Sequence, residues 1–257
     1  MTWYAQQIFA QPRRDVIAAF QAIPALANAI YHVPDFADMQ TTAEVTCGGI
    51  VTEEGFEQIT RTIITGPRLP PDGLLIIREL CNPIDDDCGE WFGPDRVSWA
   101  GIGENLPLPD DPLLQMESVF SDAPQWWSDA APPIPLLVQL RHIADTTNSI
   151  VAYYACHMWG GDVECVFGWI WDGERKSSNF YRGVVSPNEQ NIEDTGFSTD
   201  LTGAYSIDRY GRRFIAQGNV LTLLLLHFGL LLSNGDFELH HCKFPWNKYK
   251  LPPPEPV

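Results

Sequence analysis

The segment Ser149–Trp171 constrains the fold more than any other stretch, because it predicts two β-strands joined by a tight turn. The turn is Gly160–Gly161, a pair typical of two-residue hairpin loops, which require positive backbone φ angles. With these glycines at the turn, Trp159 faces Asp162 and the register of the two strands follows. One face of the predicted hairpin is wholly apolar, and the other becomes polar toward the turn. We therefore expect an antiparallel sheet centred on residues 149–171, with its apolar face against a core.

The predicted register brings two pairs of reactive side chains together. Cys156 opposes Cys165 on the apolar face, either as a redox-sensitive pair or as two small buried residues. His157 opposes Glu164 on the other face, as a cross-strand ion pair, an acid–base dyad or part of a metal site. Neighbouring strand residues point to opposite faces, so His157 is not placed to act as a base for Cys156.

Helical patterns put the chain in the α+β class. Apolar positions predict an amphipathic helix over residues 136–145 and an almost entirely apolar helix over 220–232. We expect these helices to cover one face of the antiparallel sheet. A further helical pattern spans residues 13–31 with a break at Pro24, and residues 41–51 have strand character.

Proline-rich stretches divide the chain. The segment 130–135 predicts a joint, because its prolines exclude both helix and central strand. It separates an acidic N-terminal α+β region, residues 1–129, from a C-terminal hairpin region, residues 130–250, which can also continue the first. Residues 251–257 are predicted to form a disordered, proline-rich tail.

Charge limits the classes of partner. The chain has 257 residues, with 33 acidic and 16 basic side chains and a net charge of -17. Such a chain repels phosphate and attracts basic protein surfaces, which argues against direct nucleic-acid binding. The excess is concentrated in residues 72–129, which hold thirteen acidic residues and two basic ones. Improved solubility is the alternative explanation of this acidity.

Large aromatic side chains accompany the acids of segment 72–129. Carboxylates that meet Lys or Arg beside aromatic anchors are typical of protein docking surfaces. We therefore predict that this segment binds a basic protein partner. The residues predicted to contact that partner are Asp85, Asp86, Asp87, Glu90, Trp91, Phe92, Asp110, Asp111, Trp126 and Trp127.

The sequence contains no motif that indicates a particular enzymatic reaction. The sequence has no nucleophile elbow, phosphate-binding loop, dinucleotide fingerprint or metalloprotease motif. This argues against an enzyme, and no cofactor is predicted. One alternative is a metal-dependent or acid–base hydrolase using His157 and Glu164, with His240 and Cys242 as further candidate metal ligands. A second alternative is an acidic mimic of nucleic acid.

Several features predict a cytoplasmic protein that does not bind a membrane. The N-terminus shows no signal peptide, the six cysteines form no CxxC pair, and the longest apolar run, Val220–Leu232, is shorter than the ~20 residues of a membrane-spanning helix. In size, acidity and lack of catalytic motifs, the chain resembles intracellular immunity proteins that neutralise a basic toxin. This resemblance is one of general character and implies a basic, toxin-like partner without assigning a role to any residue.

Overall fold

A computed structural model describes residues 3–33, 41–52, 55–65, 72–77, 80–81, 97–99, 101–120, 131–159, 162–183, 198–199, 206–207, 213–215, 219–229 and 246–253. The α-helices are α1 (Arg14–Gln21), α2 (Met116–Val119), α3 (Ile134–Thr147) and α4 (Asn219–Leu226). The longer strands are β1 (Trp3–Ala10), β2 (Ile30–Val33), β3 (Thr41–Thr52), β4 (Gly55–Thr65), β5 (Leu74–Ile77), β8 (Ile150–Trp159), β9 (Asp162–Asp172) and β10 (Ser177–Arg182). The two-residue strands are β6 (Leu80–Cys81), β7 (Val97–Ser98), β11 (Ser198–Thr199), β12 (Ser206–Ile207) and β13 (Arg213–Phe214).

Within these described ranges, six strands form one antiparallel sheet in the order β10-β9-β8-β1-β5-β2. The predicted hairpin supplies β8 and β9. Strand β1 pairs with β8 from Trp3 opposite Met158 to Ala10 opposite Val151, so the sheet contains strands from both sides of the segment 130–135. The predicted α+β class with a central antiparallel sheet is confirmed.

Side chains alternate between two apolar layers, one on each face of the sheet. Helices α1 and α3 supply one layer, together with residues such as Ile8 and Trp169 from the strands. Helix α4 contributes to the opposite layer, with residues such as Phe9 and Ile170. The expectation that both predicted helices cover the same face is not confirmed, because α3 packs on one face of the sheet and α4 on the other. The apolar spacing of the helix at 136–145 predicts four inward-facing residues, and all four are buried: Leu137, Leu140, Ile143 and Ala144.

A single glycine allows α4 to approach the sheet closely. A Cβ atom at Gly168 would lie 2.5 Å from Leu224 Cδ1 and 2.6 Å from the carbonyl oxygen of Tyr153. The first of these contacts is with α4 and the second is with the neighbouring strand. A larger residue at position 168 would therefore clash with the backbone of β8 and force the Leu224 side chain to move.

Helix α3 leads directly into the hairpin. It begins after Pro133 and ends at Asn148, whose φ of 46° and ψ of 50° lie in the left-handed region that asparagine tolerates. The Ser149 N–H then donates to the carbonyl oxygen of Ala144 at 3.1 Å, which closes the helix end. The next residue begins β8, so the helix end fixes where the hairpin enters the sheet.

The first third of the chain departs from its predicted elements. The helix predicted over residues 13–31 ends at Gln21, before Pro24, and Ile30–Val33 is the edge strand β2. Strand β1 was not predicted, although it lies inside the sheet. The strand predicted over residues 41–51 forms a two-stranded hairpin with β4, with a register shift between Thr46 and Gly48.

The chain end borders the sheet. The Leu251 N–H donates to the carbonyl oxygen of Ile30 at 2.9 Å, and the His32 N–H donates to that of Tyr249 at 2.9 Å. Gln21 Nε2 donates to the carbonyl oxygen of Pro252 at 3.1 Å. The disorder predicted for residues 251–257 therefore does not extend to the first two of them.

Helix α4 also ends earlier than predicted, at Leu226 instead of Leu232, and Gly229 has a φ of 78° just beyond it. None of the helices among the described residues combines the length and the apolar character needed to cross a bilayer.

Candidate functional site

The register of the hairpin differs from the predicted one beyond the turn. The turn pairing predicted from the two glycines is confirmed, but the register shifts after one further pair. His157 then lies opposite Cys165, and Cys156 lies opposite Val166. The predicted pairs Cys156–Cys165 and His157–Glu164 are wrong, because Glu164 is an extra residue on β9 and forms a β-bulge.

The bulge also places the two cysteines on opposite faces. Cys165 belongs to the apolar layer under α3, and Cys156 belongs to the layer under α4. Both are buried, and burial raises the pKa of the Cys156 thiol to about 11. A disulfide between them would require the sheet to open, so the arrangement supports two buried core residues and not a redox pair.

Both thiols are expected to resist alkylation by iodoacetamide in the native protein and to react once the protein is denatured, because buried thiols rarely reach the reactive thiolate form. Mass spectrometry of the labelled peptides measures this directly. An Asn105→Cys variant supplies an exposed reference thiol in the same chain. Native labelling of Cys156 or Cys165 at the rate of that reference would contradict the buried placement.

His157 is mostly buried on the face that carries Cys165. Burial lowers the pKa of its imidazole from 6.5 to about 4, so the side chain is neutral at pH 7. A general acid or base works best with a pKa near the operating pH, which this histidine does not have. Among the described residues, no three His, Cys, Asp or Glu side chains come together as a possible metal site. His240 and Cys242 lie outside the described residues, as does the side chain of Glu164.

Most of the predicted docking residues also lie outside the described ranges, and their role stays a prediction: Asp85, Asp86, Asp87, Glu90, Trp91, Phe92, Trp126 and Trp127. The described part of the acidic segment includes the 101–111 loop, which contains Asp110 and Asp111. The loop starts beside the buried residues Trp99 and Ile102. Gly101 and Gly103 have φ angles of 80° and 76°, values that favour glycine, and Gly103 lies against the backbone of Pro135 at the start of α3.

The two adjacent aspartates have different environments. Asp111 is buried, and its carboxylate accepts from the Leu113 N–H at 2.9 Å and from Arg141 Nη1 at 2.5 Å. Arg141 also lies 3.6 Å from Asp145 one turn further along α3. Asp111 therefore attaches the loop to the helix, whereas Asp110 is exposed to solvent.

The most prominent apolar residue of this surface is Leu108, whose exposure of 65% is the exception among large apolar side chains of the described residues. It stands between Pro107 and Pro109, and the exposed acids Glu104 and Asp110 precede and follow it in the loop sequence. Leu108 was not predicted as a contact residue, although its place between two prolines was a signal for an exposed segment. Beside it lies a hollow of about 120 Å³, lined by Leu106, Pro107, Pro109, Val138, Arg141, His142 and Asp145.

Comparison of this chain with protein-family models, with curated protein sequences and with solved structures finds no significant match.

Proposed function

We propose that this protein is an acidic binding module that docks a basic protein partner through segment 72–129. The observation that carries the proposal is Leu108, a large apolar side chain exposed to solvent between two prolines, in a loop that also exposes Glu104 and Asp110. Apolar anchors surrounded by a charged rim are the usual arrangement of protein docking surfaces. The net charge of -17 favours a cationic partner over an anionic one.

The structure of the 101–111 loop is suited to binding a protein partner. Its prolines restrict the backbone, so little conformational entropy is lost when a partner binds. The contacts of Asp111 with Leu113 and Arg141 hold the loop against α3, which leaves Leu108 and Asp110 to meet the partner. Carboxylates at such a rim mainly accelerate association, while the anchor mainly slows dissociation.

The partner that fits this description best is a basic protein that the chain inhibits. The general resemblance to immunity proteins suggests that this partner is a toxin. We place this activity in the cytoplasm, where the buried thiols Cys156 and Cys165 suit a reducing environment.

The proposal predicts a salt-sensitive complex. The tagged full-length chain is used to capture partners from source-cell lysate, and the basic protein identified by mass spectrometry is purified and titrated by calorimetry. We expect Leu108→Ser to weaken binding by about tenfold or more, as for a residue near the centre of an interface. We expect Asp85→Asn, Asp86→Asn and Asp87→Asn together to slow association, and the affinity of the wild type to fall as salt increases.

Glu174→Gln is the matched control for the loss of an exposed acid, because it lies in the turn after β9 and outside the acidic segment. Its affinity should equal that of the wild type. A partner that is not basic, or one whose affinity is unchanged by salt, by Leu108→Ser and by the Asn substitutions, would contradict the proposal.

A further inference from the structure

A cleft of about 570 Å³ opens at one end of the central sheet, between α1 and the residues that follow α4. Clefts of a few hundred Å³ formed by several chain segments are the usual sites of small ligands. This cleft shares Asp72 and Gly73 with the start of segment 72–129 but does not include the 101–111 loop, so it is separate from the surface around Leu108. The lining residues that bear on its chemistry are Pro12, Arg14, His32, Asp72, Gly73 and Phe228.

Two charges at the cleft neutralise each other. Arg13 donates to both carboxylate oxygens of Asp15, from Nε at 3.2 Å and from Nη2 at 2.6 Å. The same guanidinium lowers the pKa of Asp15, and its Nη1 donates to the carbonyl oxygen of Asn148 at 3.0 Å. Asp15 also accepts from the Val16 N–H at 3.0 Å. Both groups are therefore engaged within the protein and add no net charge to the cleft.

Two other charges at the cleft are not engaged. The side chains of Arg14 and Asp72 are exposed, and within the described residues neither forms a hydrogen bond or an ion pair. They come from different elements, Arg14 from the first turn of α1 and Asp72 from the turn before β5. His32 Nε2 lies 2.9 Å from the backbone carbonyl oxygen of Asp72 and donates to it, which attaches that turn to β2. The cleft thus presents one cation and one anion from two fixed elements.

The remaining surface of the cleft is partly apolar. Pro12 lies at the start of α1, and Phe228 belongs to the apolar layer under α4 with only 6% of its surface exposed. Gly73 has a φ of 82° and no side chain, so the backbone stays open beside Asp72. A ligand side chain can therefore contact Pro12 and the exposed edge of Phe228 while its polar end meets the two charges.

We propose that this cleft binds a free α-amino acid with an apolar side chain. The carboxylate of the ligand pairs with Arg14, its ammonium group pairs with Asp72, and its side chain lies against Pro12 and Phe228. A simple anion would be repelled by Asp72 and by the net charge of -17, whereas a simple cation would be repelled by Arg14. Only a ligand that carries both charges gains from both groups.

The test uses the full chain and three probes with the same ring: L-phenylalanine, phenylpropionate, which lacks the ammonium group, and phenylethylamine, which lacks the carboxylate. Binding is followed by NMR of the histidine imidazoles during titration to millimolar concentrations. We expect L-phenylalanine to bind saturably and most tightly. The resonances of His32, which lines the cleft, should move, while those of His142, which lines the separate hollow beside the 101–111 loop, should not.

Two charge-removing variants make the assignment specific. Arg14→Gln should weaken L-phenylalanine and phenylpropionate by about tenfold or more without weakening phenylethylamine, which is freed from a like charge. Asp72→Asn should weaken L-phenylalanine and phenylethylamine without weakening phenylpropionate, which is freed from a like charge. Both positions are exposed, and unchanged thermal unfolding of the variants confirms that they are folded.

The proposal is overturned if L-phenylalanine does not saturate, if a probe with one charged group binds as tightly as the amino acid, or if both variants bind L-phenylalanine like the wild type. Arg14 lies outside the acidic segment and Leu108 lies outside the cleft, so Arg14→Gln tests the cleft alone and Leu108→Ser tests the docking surface alone.

Discussion

Replacing Trp169 with alanine is expected to lower the free energy of unfolding by about 4 kcal/mol, within the range for truncating a buried aromatic residue. The side chain is completely buried on the face under α3. Its ring contacts Phe120 and Phe167 edge to face, with centroids 6.2 and 5.6 Å away, and Phe180 at 4.7 Å. Its Nε1 donates to the carbonyl oxygen of Leu113 at 2.8 Å. The substitution removes these contacts together and leaves a cavity.

Two conservative variants separate packing from hydrogen bonding. Trp169→Phe retains a ring but leaves the Leu113 carbonyl oxygen without its donor, at an expected loss of about 1–3 kcal/mol. Trp171→Phe removes an indole N–H that has no hydrogen-bond partner among the described residues, so its loss should be the smaller of the two. Urea denaturation monitored by circular dichroism gives all three values. A Trp169→Ala protein as stable as Trp171→Phe would contradict the described core.

The contact between Trp169 and Leu113 also connects the core to the proposed docking surface. Leu113 follows the 101–111 loop, and Asp111 binds both the Leu113 N–H and Arg141 of α3. The end of the loop is thus attached to the sheet through Trp169 and to the helix through Arg141. These attachments hold the end of the loop that carries Leu108, although Leu108 itself contributes little to the core.

Much of the architecture follows from sequence patterns that are compatible with only one type of secondary structure. Gly160–Gly161 between two apolar runs predicted the hairpin, and the apolar spacing of residues 136–145 predicted α3 with its buried face. Strand β1 gave no such signal, because Gln6 and Gln7 interrupt its apolar residues. Both glutamines are buried in the sheet, so here the pairing with β5 and β8 outweighs local polarity.

The hairpin register could not be predicted, because nothing in the sequence distinguishes Glu164 as an extra residue. A shift of one residue moves every later side chain to the opposite face, so this bulge separates both pairs of reactive side chains expected there. The different environments of Asp110 and Asp111 also could not be predicted from the sequence. Adjacent and identical in sequence, they differ because Arg141, far along the chain, reaches only the second of them.

Acidification is expected to destabilise the protein through His157. The pKa of the His157 imidazole is about 4 in the folded protein, and its ordinary value of 6.5 applies to the unfolded chain. Above pH 6.5 the imidazole is neutral in both states, and it has no effect on the pH dependence of stability. As the pH falls from 6.5 toward 4, the unfolded chain takes up a proton that the buried imidazole does not accept. The free energy of unfolding therefore falls, by about 3 kcal/mol in total from this group.

The measurement compares urea denaturation of the wild type and of His157→Gln at a series of pH values from 7 to 4. Carboxylates and the other histidines titrate in both proteins, so the difference between the two isolates the contribution of His157. Glutamine stays neutral, and its variant should lose less stability on acidification. The difference should widen as the pH drops below 6.5 and level off near 4, because the folded imidazole then also becomes protonated. A constant difference across this range would mean that His157 is solvated in the folded protein, contrary to its place beside Cys165.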